Sequence, residues 1–231
     1  KALKQIMEEG HIVALASGRP TPGVAQVAKT LELDKYGGYV LSFNGGKVIN
    51  WKTKEVIYEN ALSKEYIPEL VDYATENKIG LITYDDDSIV VGTPIDEYIE
   101  LESFINKLPL KEKNLVEYVD YNPNKCLLTA PGEIAAEHER ILSEPFFIEA
   151  LPMGIDKAHS IEVLINHLGI PKENTIACGD GFNDLTMIKY AHVGVAMANA
   201  TDVVKENADY ITKSNNEDGI AHVIEKFILE K

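Results

Sequence analysis

Cysteine is nearly absent: the 231 residues include only Cys126 and Cys178, which is too few for a disulfide framework, and Cys178 falls inside a predicted buried strand. Basic charge is also scarce. Lys and Arg number 22 against 37 Asp and Glu, a formal net charge of −15. That balance argues against nucleic acid or an anionic membrane as partner, because either needs a basic surface that displaces counterions. A small phosphorylated molecule meets the same repulsion at long range, so it can bind only where a local cation and a lysine reverse the field. No apolar run reaches transmembrane length and no basic-then-apolar leader opens the chain; together these predict a reducing, cytoplasmic setting. There is no Cys/His cluster for a soft metal, no internal repeat and no low-complexity tract, and the sequence names no protein partner.

What is present suits one large domain or two modest ones, with 45% hydrophobic residues for an ordinary core. Leu3, Ile6 and Met7 share a helical face that stops at Gly10. Residues 11–16 read as a buried strand ending at Ser17-Gly18-Arg19-Pro20. Val24, Val27, Ala28 and Leu31 then carry helical spacing, and 39–43 read as a second strand closed by Asn44-Gly45-Gly46. Strands alternating with helices predict a parallel sheet with helices on both faces. The rhythm changes over 60–152. A helix capped by Ser63, an antiparallel hairpin of 79–84 and 88–91, a helix over 97–105 and strands at 124–129 and 146–151 predict an α+β module. The acidic run 85–87 reads as a solvated turn. From Lys157 the first rhythm returns, so the expected architecture is an α/β core of 1–59 and 153–231 interrupted by an inserted α+β domain, 60–152.

One stretch carries the most chemistry. Ile176-Ala177-Cys178 runs as an apolar strand into Gly179-Asp180-Gly181-Phe182-Asn183-Asp184. Two glycines let the backbone turn sharply and approach a ligand, and Asp180 and Asp184 are spaced to stay near the mouth of a helix starting at Asn183. Two carboxylates on such a turn suit a hard cation, and Mg²⁺ commonly takes one or two carboxylates with phosphate and water.

Ligands of open parallel sheets bind beyond the carboxyl ends of the strands, where Ser17, Asn44 and Asp180 all fall. Lys157, opening the helix before the acidic strand, can present its ammonium to the same crevice. Each has a structural reading: Ser17 as a helix cap, Asn44 as a turn element, Lys157 and Arg19 as surface cations. Their joint placement with the acidic loop favours a shared site.

The segments Ala14-Leu15-Ala16-Ser17-Gly18-Arg19-Pro20, Ser42-Phe43-Asn44-Gly45-Gly46, Gly154-Ile155-Asp156-Lys157 and Gly179-Asp180-Gly181-Phe182-Asn183-Asp184 resemble successive signatures of the haloacid dehalogenase (HAD) superfamily, specifically its Cof-type sugar phosphatases. The resemblance spans essentially the whole chain. It takes in 60–152, which looks like a type IIB cap, and the tail 193–197 with Asn199-Ala200. P-type ATPases share the acidic signature but need membrane helices. The resemblance implies a three-layer Rossmann-like HAD core and a Mg²⁺-dependent phosphatase of small phosphorylated metabolites, sugar phosphates first, working through a phosphoaspartyl intermediate. By it, Ser17 hydrogen-bonds the transferring phosphoryl group, while Gly18, Arg19 and Asn44 line the phosphate pocket. Lys157 neutralises the phosphoryl group and the attacking carboxylate. Asp180 ligates Mg²⁺, Asp184 ligates it or orients a metal-bound water, and Asn183 contacts phosphate. Met153 departs from the pattern, since relatives often carry a basic residue there.

The implied route needs a nucleophilic aspartate, which in this family sits on a strand-ending Asp-x-Asp-Gly-Thr. No such segment occurs here, so the nucleophile is expected upstream of Lys1, about two dozen residues of strand, loop and helix being unaccounted for. Against the same pattern, about ten residues are missing near 142–143, where a chain break is expected. The alternative reading is a non-catalytic sugar-phosphate binder or regulatory relative that lacks the nucleophile.

Overall fold

Short apolar runs rich in Val, Ile and Leu become strands, and segments with 3.6-residue periodicity become the helices between them. The computed structural model describes residues 1–129, 142–144 and 147–230. They divide into two units, one of Lys1–Gly18, Ala25–Tyr58 and Ile155–Lys231, the other of Arg19–Val24 and Glu59–Gly154.

In the first unit, β1 (Ala14–Ala16) and β2 (Tyr39–Ser42) pair in parallel, Ala14 opposite Tyr39 and Ala16 opposite Leu41. The helix Thr21–Thr30 lies between them in sequence, as a parallel connection requires. All four β2 residues are buried, the mark of a strand covered on both faces. β3 (Lys47–Asn50) then folds back antiparallel on β2 and β4 (Val56–Glu59) extends that sheet. The cause is local. Phe43, Asn44 and Gly45 all have positive φ, 53°, 56° and 97°, and this left-handed turn reverses the chain in too few residues for a parallel crossover.

The second unit is built on one mixed sheet. Its strands are β5 (Gly80–Tyr84), β6 (Ile89–Val91), β7 (Leu110–Glu112), β8 (Cys126–Thr129), β9 (Leu142–Glu144) and β10 (Phe147–Ala150), in the spatial order β7-β6-β5-β8-β10-β9. Every residue of β5 and β6 is buried. Ile67 and Ala74 of the helix Ile67–Asn77 pack with Leu81, Val90, Leu115 and Leu128 in its core, each large side chain contributing about 1.5–3 kcal/mol by burial. Arg19–Val24 belongs to this unit and not to the core expected from sequence; Gly23 abuts Asn106, leaving only 2.5 Å between the Asn106 Oδ1 and the position of a Cβ on Gly23. The chain break expected at 142–143 is not found there. Leu142–Glu144 forms the strand β9, whose backbone pairs along the otherwise open edge of β10, and the flanking residues 130–141 and 145–146 lie outside the described residues.

In the acidic run 85–87, Asp86 and Asp87 are exposed, as a solvated turn predicts, but Asp85 is a structural knot. Asp85 Oδ1 accepts from the Asp87 N–H, the Ser88 N–H and the Ser88 hydroxyl, and its Oδ2 accepts from the Lys111 ammonium at 3.1 Å and the Tyr118 hydroxyl at 3.0 Å. Burial alone would raise this carboxyl, but the hydrogen bonds from Ser88, Lys111, the Asp87 backbone and Tyr118 outweigh it and hold the group well below the usual carboxylate range. A depressed folded value stabilises above the unfolded carboxylate's value, about 3.9, and the contribution is lost as pH falls below it. Asp85→Asn is therefore expected to cost about 1–3 kcal/mol at pH 7. Urea midpoints measured against pH should fall for the wild type below about pH 4 and flatten there for the variant; identical curves would refute this account.

The chain then returns to the first unit with β11 (Ile176–Gly179), β12 (Val193–Ala196) and β13 (Tyr210–Ile211), a parallel sheet in that order. The single parallel sheet expected from the alternation is thus two sheets among the described residues. β1 pairs only with β2, and β11 only with β12. Ala16 on β1 nevertheless packs against both the cluster of Ala177, Met187, Ile188 and Ala196 and the cluster of Tyr39, Leu41, Val48 and Leu164. The two strand edges therefore belong to one α/β core, completed by the other unit as an α+β insert.

Candidate active site

The acidic loop is closed by one of its own carboxylates. Asp184 is buried, 6% exposed, and its Oδ2 accepts from the backbone N–H groups of Asp180 at 2.9 Å and Gly181 at 3.0 Å. Its Oδ1 accepts from the Lys157 ammonium. Gly179 is required here, because a Cβ would lie 2.4 Å from Asp184 Cβ. Lys157 is 4% exposed, so the surface reading open to a lone lysine does not hold. It sits at the first position of the helix Lys157–Leu168, whose cap Asp156 accepts from the His159 N–H at 2.8 Å. A buried lysine requires a partner, and Asp184 is that partner.

Asp180 occupies the opposite situation. It is exposed, its Oδ2 accepts from the Asn199 amide at 2.8 Å, and its Oδ1 has no partner among the described residues. The two carboxylates expected to ligate a metal therefore differ. Asp180 offers an oxygen, whereas both Asp184 oxygens are already committed to backbone N–H groups and Lys157, a geometry that suits orienting the loop and the lysine better than direct ligation.

Ser17 follows β1 and donates its N–H to Leu41 O at 2.8 Å, while its carbonyl accepts from the Asn44 N–H at 3.0 Å. This pairing and the left-handed turn bring the Asn44 side chain to the Ser17-Gly18 loop: a Cβ on Gly18 would lie 2.8 Å from Asn44 Oδ1. The same oxygen accepts from the Asn183 amide at 3.1 Å. Gly45 cannot be replaced, with φ +97° and its Cβ position 2.7 Å from Asp156 O.

A cavity of about 400 Å³ collects these groups. Ala16, Ser17 and Gly18 line it from β1, Cys178, Gly179, Asp180, Asn183 and Asp184 from the acidic loop, and Lys157 and Asn215 complete its polar wall. Ser17, Gly18, Lys157, Asp180, Asn183 and Asp184 are thus brought together from three distant stretches. Asn44 joins through Asn183. Arg19 does not line the cavity and groups with the other unit. Burial pushes the Cys178 thiol up to about 12, so it is protonated at neutral pH and is no nucleophile. Sequence reasoning gave Asn199 and Asn215 no role; the available signal was that Asn199 lies just past β12, at the same sheet edge as Asp180.

The donor set fits Mg²⁺. Asp180 offers an accessible carboxylate oxygen beside a lysine and amide groups, which suits an ion that keeps several waters and takes one or two carboxylates plus phosphate. No group of three His, Cys, Asp or Glu side chains able to hold a metal occurs among the described residues; Asp180 is the carboxylate of this cavity with an oxygen that could hold one.

Comparison with known proteins shows the family of the chain. The family model of haloacid dehalogenase-like hydrolases matches residues 1–224. YxeH of Bacillus subtilis, a phosphatase by inference, is 33% identical over 244 aligned residues, covering 100% of this chain and 90% of that protein. A 5-amino-6-(5-phospho-D-ribitylamino)uracil phosphatase of the same organism, YcsE, is 28% identical, covering 99% of the chain and 87% of its own length. Among solved structures, a haloacid dehalogenase-like hydrolase from Bacteroides thetaiotaomicron matches at 42% identity and TM-score 0.92 over 98% of this chain and 90% of that one. A HAD subclass IIB sugar phosphatase matches at 25% identity and TM-score 0.80 over 98% and 89%. The chain belongs to the haloacid dehalogenase-like hydrolases, in the Cof-type branch of that superfamily, a branch of phosphatases.

Proposed function

We propose that this protein hydrolyses phosphate monoesters of small polyhydroxylated metabolites, sugar phosphates first among them, in a Mg²⁺-dependent reaction that passes through a phosphoaspartyl intermediate. The observation that carries this reading is the convergence of Ser17, Lys157, Asp180 and Asn183 on one cavity. Lys157 supplies positive charge to a phosphoryl group, and Ser17 and Asn183 supply hydrogen-bond donors to its oxygens. Bound at Asp180, Mg²⁺ would supply Lewis-acid stabilisation of phosphoryl charge. Asp184 keeps Lys157 aimed, and keeps the Asp180 turn closed, by the contacts described above.

The nucleophile is assigned to residues preceding Lys1. Among the described lining residues the only carboxylates are Asp180 and Asp184, and no histidine is among them to activate Ser17. Among the described residues β1 and β11 each have an unpaired edge, and both strands line the same cavity, a place for one more parallel strand whose end would present an aspartate to the bound phosphoryl group. That carboxylate attacks phosphorus, the ester P–O bond breaks and the alcohol leaves; water then displaces the carboxylate and releases inorganic phosphate. The polyol preference is drawn from the relatives: one is named for a phosphorylated ribityl chain and a structural neighbour for sugar phosphates.

The test is phosphate release by the protein extended upstream of Lys1, against a panel of phosphorylated sugars, polyols, nucleotides and cofactors, with Mg²⁺ and with chelator. Release from sugar or polyol phosphates that chelator abolishes is expected. A flat panel indifferent to Mg²⁺ would favour the non-catalytic binder.

A further inference from the structure

Asp180 is positioned by a loop that approaches from nineteen residues further along the chain. Asn199 donates its amide to Asp180 Oδ2 at 2.8 Å, and its own Oδ1 accepts from the Asn215 backbone N–H at 2.9 Å. The second bond fixes the first. An asparagine side chain can present either end, but a backbone N–H is donor only, so the Asn199 oxygen must face Asn215 and its NH₂ must face Asp180.

We propose that Asn199 is a positioning residue for the Asp180 carboxylate. It pins Oδ2 so that Oδ1 is left for a cation, on a turn whose flanking glycines would otherwise give the side chain latitude. This rests on the reading of Asp180 as the Mg²⁺ ligand. The loops do not need the Asn199 side chain to stay adjacent. The Met197 N–H bonds Gly179 O at 2.9 Å and the Thr201 N–H bonds Asp180 O at 3.3 Å. Asn199 and Asn215 are exposed, where one hydrogen bond adds little to stability. A positioning role and a bracing role therefore separate cleanly.

The experiment is Mg²⁺ binding by titration calorimetry on the full-length protein, with thermal midpoints recorded in chelator. Asn199→Ala is expected to weaken Mg²⁺ affinity by about 10–100-fold with the chelator midpoint unchanged. A second pair of variants leaves Asn199 in place. Asn215 opens a short 3₁₀ turn after the extended Ser214, at φ −70° and ψ 169°, a position that admits proline. Asn215→Pro removes the N–H that orients Asn199, Asn215→Ala keeps it, and Mg²⁺ affinity should fall in the first relative to the second. Wild-type Mg²⁺ affinity in Asn199→Ala, with affinity lost in Asp180→Asn, overturns the positioning role and leaves Asp180 as ligand. Asp180→Asn that binds Mg²⁺ like the wild type, or a wild type that binds none, overturns the reading of the site itself.

Discussion

Lys157→Ala is expected to lower kcat for phosphate release by about 10²–10³-fold, the range for removing one preorganised charge-stabilising donor, and to cost about 3–5 kcal/mol of stability, the range for breaking a buried ion pair. The two losses have different origins, and a second substitution tells them apart. With the lysine gone, the buried Asp184 carboxylate keeps its two backbone donors but loses its counter-charge. Replacing both partners, as in Lys157→Met with Asp184→Asn, removes the uncompensated charge while an amide oxygen still accepts from the Asp180 and Gly181 N–H groups. Stability should return toward wild type, since apolar or neutral replacement of a buried pair is often neutral. Activity should not return, because the phosphoryl group would still lack its cation. Urea midpoints beside steady-state kinetics on the full-length protein check both. A double variant that recovers turnover would show that Lys157 serves the fold alone.

How much of this site could be read from sequence depends on whether the signal was local. The Gly-Asp-Gly turn, the strand before it and the cap of the Lys157 helix are set within a few residues, and spacing sufficed. The convergence of Ser17 and Asp180 follows from a rule about strand ends, and the cavity has both. The burial of Lys157 was not legible, because it depends on Asp184, which is 27 positions away. β3, β4 and β7 are not legible in the sequence for a related reason. Their sequences, Lys-Val-Ile-Asn, Val-Ile-Tyr-Glu and Leu-Lys-Glu, are short and half polar, and they become strands because a neighbouring edge offers unpaired backbone groups. Three consecutive acids suggest water, so the bonding of Asp85 is not legible in the sequence; its donors Lys111 and Tyr118 come from another strand and helix. Division of the core sheet was likewise hidden, since alternation of strands and helices specifies parallel neighbours but not which pairs are actually made.

Asp180→Asn should abolish most of the turnover while leaving the fold intact, and that combination makes it the sharpest test of the metal reading. The substitution is isosteric and keeps an oxygen to accept from the Asn199 amide. Asp180 is exposed and forms no ion pair among the described residues, so stability in chelator should change by no more than about 0.5 kcal/mol. What is lost is the charge that holds a hard cation beside the phosphoryl group. Metal-ion stabilisation of a phosphoryl transition state amounts to several kcal/mol. At about 1.4 kcal/mol per decade, about 4 kcal/mol is a fall of about 10³-fold in kcat. Because Lys157, Ser17 and Asn183 stay in place, phosphate affinity should decline far less than turnover, and added Mg²⁺ should recover little of it. An Asp180→Asn protein with wild-type turnover and an unchanged Mg²⁺ dependence would move the cation elsewhere, and Lys157 with its donors would then be the whole of what this chain brings to the phosphoryl group.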